Sequence, residues 1–475
     1  MPLEPNTRSR PSVILRLSTT DLQNQRSMLS KLIFEQALPE GQAAVVTRLG
    51  GTSWRDLREQ AGRILQVHST LARRRVGLAL HPSAKSYAAL AALDKLECDS
   101  FLFDSRLPLE DMLQMAGKLK LGALLADSAS GGNASFGLHE LEGEEKWSGA
   151  SSLTILTSGS TGEPKAARHS WTSLARPVRK GSASSPRWLL AYRPNLYAGL
   201  QVMLQCFANL GTLAIPDYDA DPQSIVQFMC DAAVEFVSAT PSYWRRLLMF
   251  ADAGTLKRIP LAQITVGGEV VDQPILDRLR AHFPQARLVH IYATTELGRC
   301  FSVSDGLAGF PATYLDSETP DGVRLKVENR ELLVQSPNSM RMYDPLSGQP
   351  AATRDWFATG DLVEIRDGRV FFVGRKTEMI NVAGSKVYPV EVERVIRVIP
   401  GVLDVRVFGK NSSIAGELVA CEIVAGAGED PQAVKDAVVQ ACRIQLASYQ
   451  QPRLIKFVER IDLSTAGKTL RTRTS

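Results

Sequence analysis

A stretch rich in glycine and hydroxyl side chains, LTSGSTGEPKAARHS at 156–170, contains the residue types that bind anions. It follows an apolar strand, SLTIL, and precedes a new element that we expect to open at Ser170. Backbone N–H groups of such a loop can converge on phosphate oxygens, and Lys165 adds positive charge. A flexible surface turn would have the same composition, so this stretch predicts a phosphate site only together with other motifs.

The loop does not have the spacing of a Walker A motif. Where that motif needs its second glycine and its lysine, Gly159 is followed by Pro164 and Lys165. A second candidate, GKT at 467–469, has Asp462 in place of the first glycine. The sequence therefore does not favour a kinase or a P-loop NTPase.

Five motifs in a fixed order resemble those of the acyl-adenylate-forming superfamily, which includes acyl- and aryl-CoA synthetases, peptide-synthetase adenylation domains and luciferases. The motifs are Thr157-Ser158-Gly159-Ser160-Thr161-Gly162-Glu163-Pro164-Lys165, Tyr292-Ala293-Thr294-Thr295-Glu296, Thr359-Gly360-Asp361-Leu362, Gly374-Arg375 with the segment from Met379 to Glu393, and Gly467-Lys468 with Arg471. The resemblance implies that ATP, Mg²⁺ and a carboxylic acid are substrates or cofactors, with CoA as the acceptor.

The resemblance also assigns roles around the phosphates. The residues implied to hold the β- and γ-phosphates are Thr157, Ser158, Gly159, Ser160, Thr161, Gly162 and Lys165. Thr295 is implied to contact the α-phosphate, and Glu296 to help bind the Mg²⁺ that neutralises the departing pyrophosphate. The alternative for Glu296 is an acid that opens a helix after a strand, where the helix dipole favours it.

Further motifs are implied to bind the nucleoside. Tyr292 ends a predicted strand and would pack its ring on adenine, with a buried core tyrosine as the alternative. Gly268 and Glu269 belong to a GGE turn that resembles the loop lining the nucleotide and acyl sites, although a plain strand-to-helix turn needs the same glycines. Asp361 is expected on a rigid turn, where it accepts hydrogen bonds from both ribose hydroxyls or forms an Asx turn. Arg375 is implied to reach the ribose and phosphates.

Two residues near the C-terminal end of the sequence are implied to act in different half-reactions. The ammonium of Lys468 can bridge the incoming carboxylate oxygen and the α-phosphate as charge moves between them. In the superfamily the small domain then rotates, and the segment around Gly384 lines the tunnel for the pantetheine arm of the thiol. A glycine suits that place because only a missing side chain lets the arm pass close to the backbone.

Several positions depart from the superfamily pattern. Thr377 stands at the usual hinge Asp or Lys, Ala293 replaces the glycine after Tyr292, and Ala166 replaces the glycine after Lys165. A histidine that many acyl- and aryl-CoA ligases carry falls on Leu196. The polar residues close to that position, which are candidates for shaping the acid pocket, are Tyr192, Asn195 and Tyr197.

The order of apolar runs and helical patterns along the chain indicates the strands and helices that hold these motifs. Of the 475 residues 44% are hydrophobic, and from Trp188 onward short apolar runs alternate with helical patterns, as in parallel sheets. After Arg375 the pattern changes to a small α+β unit. We therefore predict an α/β protein with doubly wound parallel sheets in an N-terminal AMP-binding domain, 1–375, and a small mobile α+β domain, 376–475, that carries the catalytic lysine.

Charge, cysteines and hydropathy exclude several classes of protein. The 55 Lys and Arg against 50 Asp and Glu are spread without a long basic block, which is a poor signature of nucleic-acid binding. The six cysteines show no CxxC spacing and no accompanying histidine cluster, so we expect no structural zinc and a reducing compartment. No segment has the roughly 20 apolar residues of a membrane span, and we predict a cytoplasmic protein, with a homodimer left open.

Three functions fit this sequence. The first is an acid–CoA ligase, because the segment from Asn381 to Pro389 resembles CoA ligases more than peptide-synthetase domains. The second is a stand-alone adenylating enzyme that transfers the acyl group to an amine or to the phosphopantetheine of a carrier protein, which would have to be a separate chain. The third is an inactive nucleotide-binding relative with a regulatory role, which retention of Lys165, Glu296, Asp361 and Lys468 disfavours.

Overall fold

The structure, a computed structural model, describes residues 28–127, 136–143, 146–157, 165–181, 185–340, 342–343, 356–412, 416–464 and 467–470. Its strands are β1 (Ala43–Thr47), β2 (Gly50–Ser53), β3 (Arg75–Leu80), β4 (Asp99–Asp104), β5 (Ala123–Asp127), β6 (Phe136–Glu140), β7 (Ser152–Thr157), β8 (Lys165–Ser170), β9 (Arg187–Leu190), β10 (Thr212–Ala214), β11 (Phe236–Ala239), β12 (Gln263–Gly267), β13 (Arg287–Thr294), β14 (Gly298–Val303), β15 (Phe310–Pro311), β16 (Arg324–Glu328), β17 (Glu331–Gln335), β18 (Met342–Tyr343), β19 (Phe357–Arg366), β20 (Arg369–Arg375), β21 (Ile380–Val382), β22 (Ser385–Val387), β23 (Val402–Ser412), β24 (Gly416–Ala425) and β25 (Leu454–Phe457). Its helices are α1 (Leu29–Phe34), α2 (Trp54–Val67), α3 (Ala84–Lys95), α4 (Leu109–Lys118), α5 (Trp171–Ala175), α6 (Tyr197–Ala208), α7 (Pro222–Asp231), α8 (Pro241–Phe250), α9 (Ala253–Leu256), α10 (Gln273–His282), α11 (Pro389–Arg397) and α12 (Pro431–Gln445).

The largest sheet has eight strands in the order β14-β13-β12-β11-β9-β10-β1-β2. Its six central strands are parallel, and only the edge strands β14 and β2 run antiparallel to their neighbours. Helices α6, α7, α8 and α10 connect successive parallel strands. The carboxyl ends of β11, β12 and β13 therefore lie side by side at one edge, which is where such sheets place their binding loops.

A second sheet has seven strands in the order β18-β8-β7-β4-β3-β5-β6, with β7, β4, β3 and β5 parallel. Helices α1, α2, α3 and α6 contribute to one apolar core with residues of both sheets. Helix α3 is apolar on nearly all sides and is buried from Tyr87 to Leu93, as expected of a helix between two sheets. The ring of Phe207 on α6 packs edge-on against Trp54, with centroids 4.9 Å apart. The predicted α/β class is confirmed.

Two antiparallel hairpins, β7–β8 and β13–β14, were not predicted from the sequence. Strand β8 turns back against β7, with Lys165 opposite Thr157, so the glycine-rich stretch joins two strands; Ser170 then caps α5 by accepting from Ser173 N, as expected. Strand β14 turns back against β13, so Glu296 lies in a turn. The alternative of a helix-opening acid at Glu296 is wrong, because Gly298 adopts φ +70° and lets the chain reverse at once.

The remaining strands form two smaller sheets. A five-stranded antiparallel sheet, in the order β15-β20-β19-β17-β16, was not predicted. The other sheet, with strands β21 to β25, packs with α11 and α12 as the predicted small α+β unit. Strand β20 ends at Arg375, where we predicted the domain boundary; the division itself stays a prediction. Across the described ranges, no helix is long and apolar enough to cross a membrane.

Candidate active site

The carboxyl edge of the large sheet brings together several predicted site residues and one, Thr240, that was not predicted. Thr240 follows β11, Gly268 and Glu269 follow β12, and Thr295 and Glu296 follow β13. Thr240 also opens α8, because its hydroxyl accepts a hydrogen bond from Tyr243 N at 3.0 Å. Loops from three neighbouring strands thus face one cleft.

Asp361 lies in the middle of β19 and not on a separate turn, which corrects the expected placement. It is buried, and the residue before it, Gly360, has φ +74°. Arg375 stands directly opposite on β20 and its Nε lies 2.6 Å from Asp361 Oδ1. The hydroxyl of Tyr292 donates to Asp361 Oδ2 at 2.6 Å. The alternative of an Asx turn is wrong, since the carboxylate faces these two side chains.

The Asp361 carboxylate changes the pKa values of its two partners, Arg375 and Tyr292. Burial alone would lower the pKa of Arg375, but the Asp361 carboxylate raises it above its ordinary value. Burial, and then the Asp361 charge, raise the pKa of Tyr292 well above its ordinary value, so the phenol stays protonated and donates. Asp361 therefore accepts hydrogen bonds from two side-chain donors, Tyr292 and Arg375.

The ring of Tyr292 lies among other aromatic rings. Its centroid is 4.9 Å from that of Phe372 and 5.4 Å from that of Phe301, and both pairs are near-parallel. The ring is half-buried, so part of its surface remains accessible. Stacking on adenine stays a prediction.

The turn at 294–297 is held from several sides. Leu297 N donates to Thr294 Oγ1 at 3.1 Å, and Met340 N donates to the Glu296 carbonyl at 2.7 Å. The Thr295 carbonyl contacts His169 Nε2 at 2.7 Å. The backbone of the predicted α-phosphate and Mg²⁺ residues is thus held by three hydrogen bonds.

His169 is a site residue that the sequence reasoning missed. It is fully buried on β8, and burial lowers the pKa of His169 to about 4 against the opposing effect of the Thr295 carbonyl. The imidazole is therefore neutral at pH 7 and donates from Nε2. It links the strand that follows the glycine-rich stretch to the Thr295 turn. The only signal in the sequence was its place within LTSGSTGEPKAARHS.

The lysine loop, which we define as residues 467–469, contacts the large-sheet edge directly. Thr240 Oγ1 donates to the Gly467 carbonyl at 2.6 Å. Thr469 N donates to Glu269 Oε1 at 2.7 Å, and the hydroxyls of Thr469 and Ser242 lie 3.0 Å apart. Thr240 and Ser242 were not predicted as site residues, although Thr-Pro after an apolar strand signals a helix start.

Lys468 extends into the cleft beside Gly268. A Cβ built on Gly268 would lie 3.6 Å from Lys468 Cε, and Gly268 has φ +86°. Lys468 is exposed to solvent, yet partial loss of hydration and the charge of Arg375 lower its pKa, against the opposing charges of three carboxylates. Those carboxylates belong to Glu269, Asp361 and Glu296.

Other predicted residues lie apart from this group or outside the described ranges. Ser158, Gly159, Ser160, Thr161, Gly162 and Arg471 lie outside the described residues. Thr157 ends β7, and Lys165 begins β8. Gly384 has φ +87° in the exposed turn between β21 and β22, and a Cβ built there would meet no atom of the described residues within 4 Å.

The acid-pocket candidates are buried near the same edge. Tyr192 donates its hydroxyl to the Gly267 carbonyl at 3.2 Å, and Asn195 is buried close by in the chain. The ring of Tyr197 lies 5.6 Å from that of His169. Of the three, Tyr192 borders Gly268, since a Cβ built on that glycine would lie 3.9 Å from the Tyr192 hydroxyl.

The donor set suits Mg²⁺ held mainly by a substrate. Across the described ranges, no group of three His, Cys, Asp or Glu residues could hold a metal ion by itself. Magnesium in nucleotide sites is usually bound by one or two carboxylates together with phosphates and water. Glu296, on its fixed turn, fits that requirement as the carboxylate.

Comparison with known proteins gives matches over both parts of the chain. Residues 34–343 match the AMP-binding enzyme family, and residues 391–468 match the AMP-binding enzyme C-terminal domain. A long-chain-fatty-acid–CoA ligase of Mycobacterium tuberculosis is 27% identical over 343 residues, covering 67% of this chain and 66% of that protein. A 2-succinylbenzoate–CoA ligase of Listeria innocua is 26% identical over 341 residues, covering 67% and 68%. The chain spans 65 to 66% of the length of the first curated relatives that it matches.

Solved structures share the fold over nearly the whole chain. The anthranilate CoA ligase AuaEII in complex with anthranoyl-AMP has a TM-score of 0.75 at 17% identity, covering 95% of this chain and 97% of that one. ATP-bound MatB from Rhodopseudomonas palustris has a TM-score of 0.72 at 20% identity, covering 93% and 96%. Because the first family match alone takes in more than half of the sequence, the chain belongs to the AMP-binding enzyme family.

Proposed function

We propose that the protein activates a carboxylic acid with ATP to an acyl-AMP, releases pyrophosphate, and transfers the acyl group to the thiol of CoA. The observation that carries this proposal is the position of Lys468. The lysine loop reaches the cleft from the C-terminal end of the described chain and places an ammonium within electrostatic range of Arg375, Glu269, Asp361 and Glu296.

In the first half-reaction a carboxylate oxygen attacks the α-phosphorus of ATP, and the bond to the bridging oxygen of pyrophosphate breaks. Two anions must approach each other, so the site has to supply positive charge. Lys468 can contact the attacking oxygen and the α-phosphate together. A contact that strengthens in the transition state contributes roughly 3 to 4 kcal/mol, or about 10² to 10³ in rate.

The remaining residues would bind and orient the nucleotide. Asp361 would accept from the ribose hydroxyls, with Tyr292 and Arg375 orienting its side chain. Thr295 would contact the α-phosphate. Lys165 and the 157–162 stretch would contact the β- and γ-phosphates. Glu296 would hold Mg²⁺, which supplies charge neutralisation for the leaving pyrophosphate.

In the second half-reaction the thiol sulfur attacks the acyl carbon and AMP leaves. The small domain, 376–475, would rotate so that Lys468 withdraws and the Gly384 turn approaches the cleft. The exposed position of that turn in this structure agrees with a role in another arrangement. CoA is the proposed acceptor because curated relatives are named CoA ligases; an amine and a carrier-protein thiol are the alternative acceptors.

Trapping of the activated acid tests this function. The protein is incubated with ATP, Mg²⁺, hydroxylamine and a panel of fatty, aryl and small dicarboxylic acids, and the acyl hydroxamate is measured. We expect ATP- and acid-dependent hydroxamate, with CoA then competing as acceptor. Absence of hydroxamate across the panel while ATP binds normally would support the inactive relative. Hydroxamate without acyl-CoA would point to one of the other acceptors.

A further inference from the structure

Two carboxylates three residues apart contact two separate elements of the small C-terminal unit. We define the carboxylate loop as residues 268–272, which connects β12 to α10. Glu269 contacts the lysine loop, and Asp272 contacts Arg397 on α11. We propose that the carboxylate loop positions Lys468 for acyl-AMP formation by holding the small domain closed. This inference rests on the proposed function and deepens it.

Glu269 uses both of its oxygens as acceptors. Oε1 accepts from Thr469 N at 2.7 Å, and Oε2 accepts from Ser242 N at 3.0 Å, at the start of α8. The carboxylate thus joins the large-sheet edge to the residue immediately after Lys468. Glu269 is a positioning residue in this arrangement, a role different from the direct ATP contact that the sequence resemblance implied.

Asp272 forms the second link, on the other side of the same loop. Its Oδ2 accepts from Arg245 Nη2 at 2.7 Å and from Arg397 Nη1 at 3.4 Å. Its Oδ1 caps α10 by accepting from Ile275 N at 3.1 Å. Burial alone would raise the pKa of Asp272, but the two arginines hold it below its ordinary value, so the link is ionic at neutral pH.

Each charged group in the links also has a partner in its own part of the chain. If the small domain moved away, Asp272 would keep Arg245 and the Ile275 amide. Arg397 would keep Glu393, whose Oε2 lies 2.9 Å from Arg397 Nη2. Glu269 would keep the Ser242 amide. Opening therefore leaves Asp272, Arg397 and Glu269 each with a partner and avoids the main penalty of breaking a buried ion pair, an unpaired buried charge. The links favour closure without preventing release.

Because the links exist only in the closed arrangement, weakening them shifts the population away from it. Acyl-AMP formation needs Lys468 in the cleft, so it should slow. Transfer to the thiol needs the small domain elsewhere, so it should not. This opposite response separates a positioning role from a general loss of structure.

The test compares the two half-reactions in Glu269→Gln and Asp272→Asn. A glutamine has an NH2 group in place of one carboxylate oxygen, so one of the two amides would face a donor instead of an acceptor. Single-turnover acyl-AMP formation should fall by about 10- to 100-fold in Glu269→Gln and by less in Asp272→Asn. Transfer from supplied acyl-AMP to CoA should stay at the wild-type rate or rise. Equal loss of both steps would overturn the proposal.

Asp321→Asn is the matched control. Asp321 also accepts from two arginines, Arg299 and Arg179, but all three lie within the large unit. This variant should change both half-reactions by the same factor. Hydrogen exchange of the C-terminal peptide containing Thr469, measured without acid or acceptor, gives a readout independent of activity. Glu269→Gln should speed exchange of that peptide and Asp321→Asn should not; unchanged exchange in Glu269→Gln would overturn the proposal even if the protein activated no acid.

Discussion

The ribose-side group and the lysine loop are built in different ways. The ribose-side group consists of Asp361, Arg375 and Tyr292, which are side chains on paired or packed strands and contact one another directly. The lysine loop is held through backbone atoms, since Thr240 and Glu269 contact the Gly467 carbonyl and the Thr469 amide. One part of the site is preformed within the sheets, whereas the other depends on where the C-terminal segment lies.

This difference implies that the two regions have different roles: one binds the nucleotide in both half-reactions, and the other acts in acyl-AMP formation. Under the proposed function, a nucleotide pocket that stays intact during domain movement would keep the acyl-AMP bound between the half-reactions. A lysine held by reversible contacts would then leave when the thiol has to approach. Substitutions in the ribose-side group should therefore weaken binding throughout, and substitutions at the lysine loop should affect one half-reaction.

The largest expected effect is that of Lys468→Ala. Loss of the ammonium should slow acyl-AMP formation by about 10² to 10³, because the contact is made mainly in the transition state. Transfer from supplied acyl-AMP to CoA should change little. Single-turnover measurement of each step checks this, and equal loss in both steps would contradict the division between the two regions.

Asp361→Ala should weaken ATP binding by about 10- to 100-fold, since it removes a charged acceptor of two ribose hydrogen bonds. Calorimetric titration with ATP measures the affinity, and circular dichroism checks that the fold is kept. Asp305→Ala is the control, because Asp305 also pairs with an arginine of β20, Arg369, at 2.7 Å. Unchanged ATP affinity in Asp361→Ala would remove the ribose role.

Gly384→Leu should slow transfer to CoA by about tenfold or more and leave acyl-AMP formation unchanged, since a bulky side chain would enter the path of the thiol arm. A leucine at φ +87° is also strained. Gly428→Leu controls for that strain, because Gly428 has φ +84° and equally open surroundings. If Gly384→Leu transferred at the wild-type rate, an amine acceptor would be favoured.

The smallest expected effect concerns His169 and pH. An unfolded histidine titrates near pH 6.5, whereas burial keeps His169 neutral down to about pH 4. Between these values the unfolded chain binds more protons, so this contribution to stability is present above about pH 6.5 and is lost as the pH falls. His169→Gln keeps a donor for the Thr295 carbonyl but does not titrate.

Urea unfolding at several pH values measures the effect. His169→Gln should reduce the slope of unfolding free energy against pH by up to about 1.4 kcal/mol per pH unit between pH 5 and 6. His139→Gln, on the edge strand β6, serves as the control. The same slope in the His169 variant and the wild type would mean that this imidazole is not held neutral.

Local sequence predicted much of the fold. Alternating apolar and helical runs from Trp188 predicted the parallel strands, and the change after Arg375 predicted the α+β unit. The strands β8 and β14 were missed because polar residues interrupt the apolar residues of both, so neither reads as an apolar run. Asp361 was expected on a turn because a glycine precedes it, but Gly360 supplies a positive φ inside a strand.

The candidate site was less accessible to sequence reasoning wherever contacts join distant segments. Motif order brought Lys468, Glu296, Asp361 and Arg375 into one prediction, and the charges of the other three act on Lys468 in the structure. Nothing local indicates that His169 reaches the Thr295 carbonyl. The same holds for Glu269, whose partners lie 27 and 200 residues away in the chain.

Acid-dependent exchange of labelled pyrophosphate into ATP tests the central claim most directly, because it requires reversible acyl-AMP formation and no acceptor. We expect exchange with wild-type protein only when a suitable acid from a broad panel is present. We also expect Lys468→Ala to lower this exchange by about 10² or more while ATP still binds. Exchange without acid would contradict acyl-AMP formation as its source. Undiminished exchange in Lys468→Ala would contradict the role proposed for Lys468.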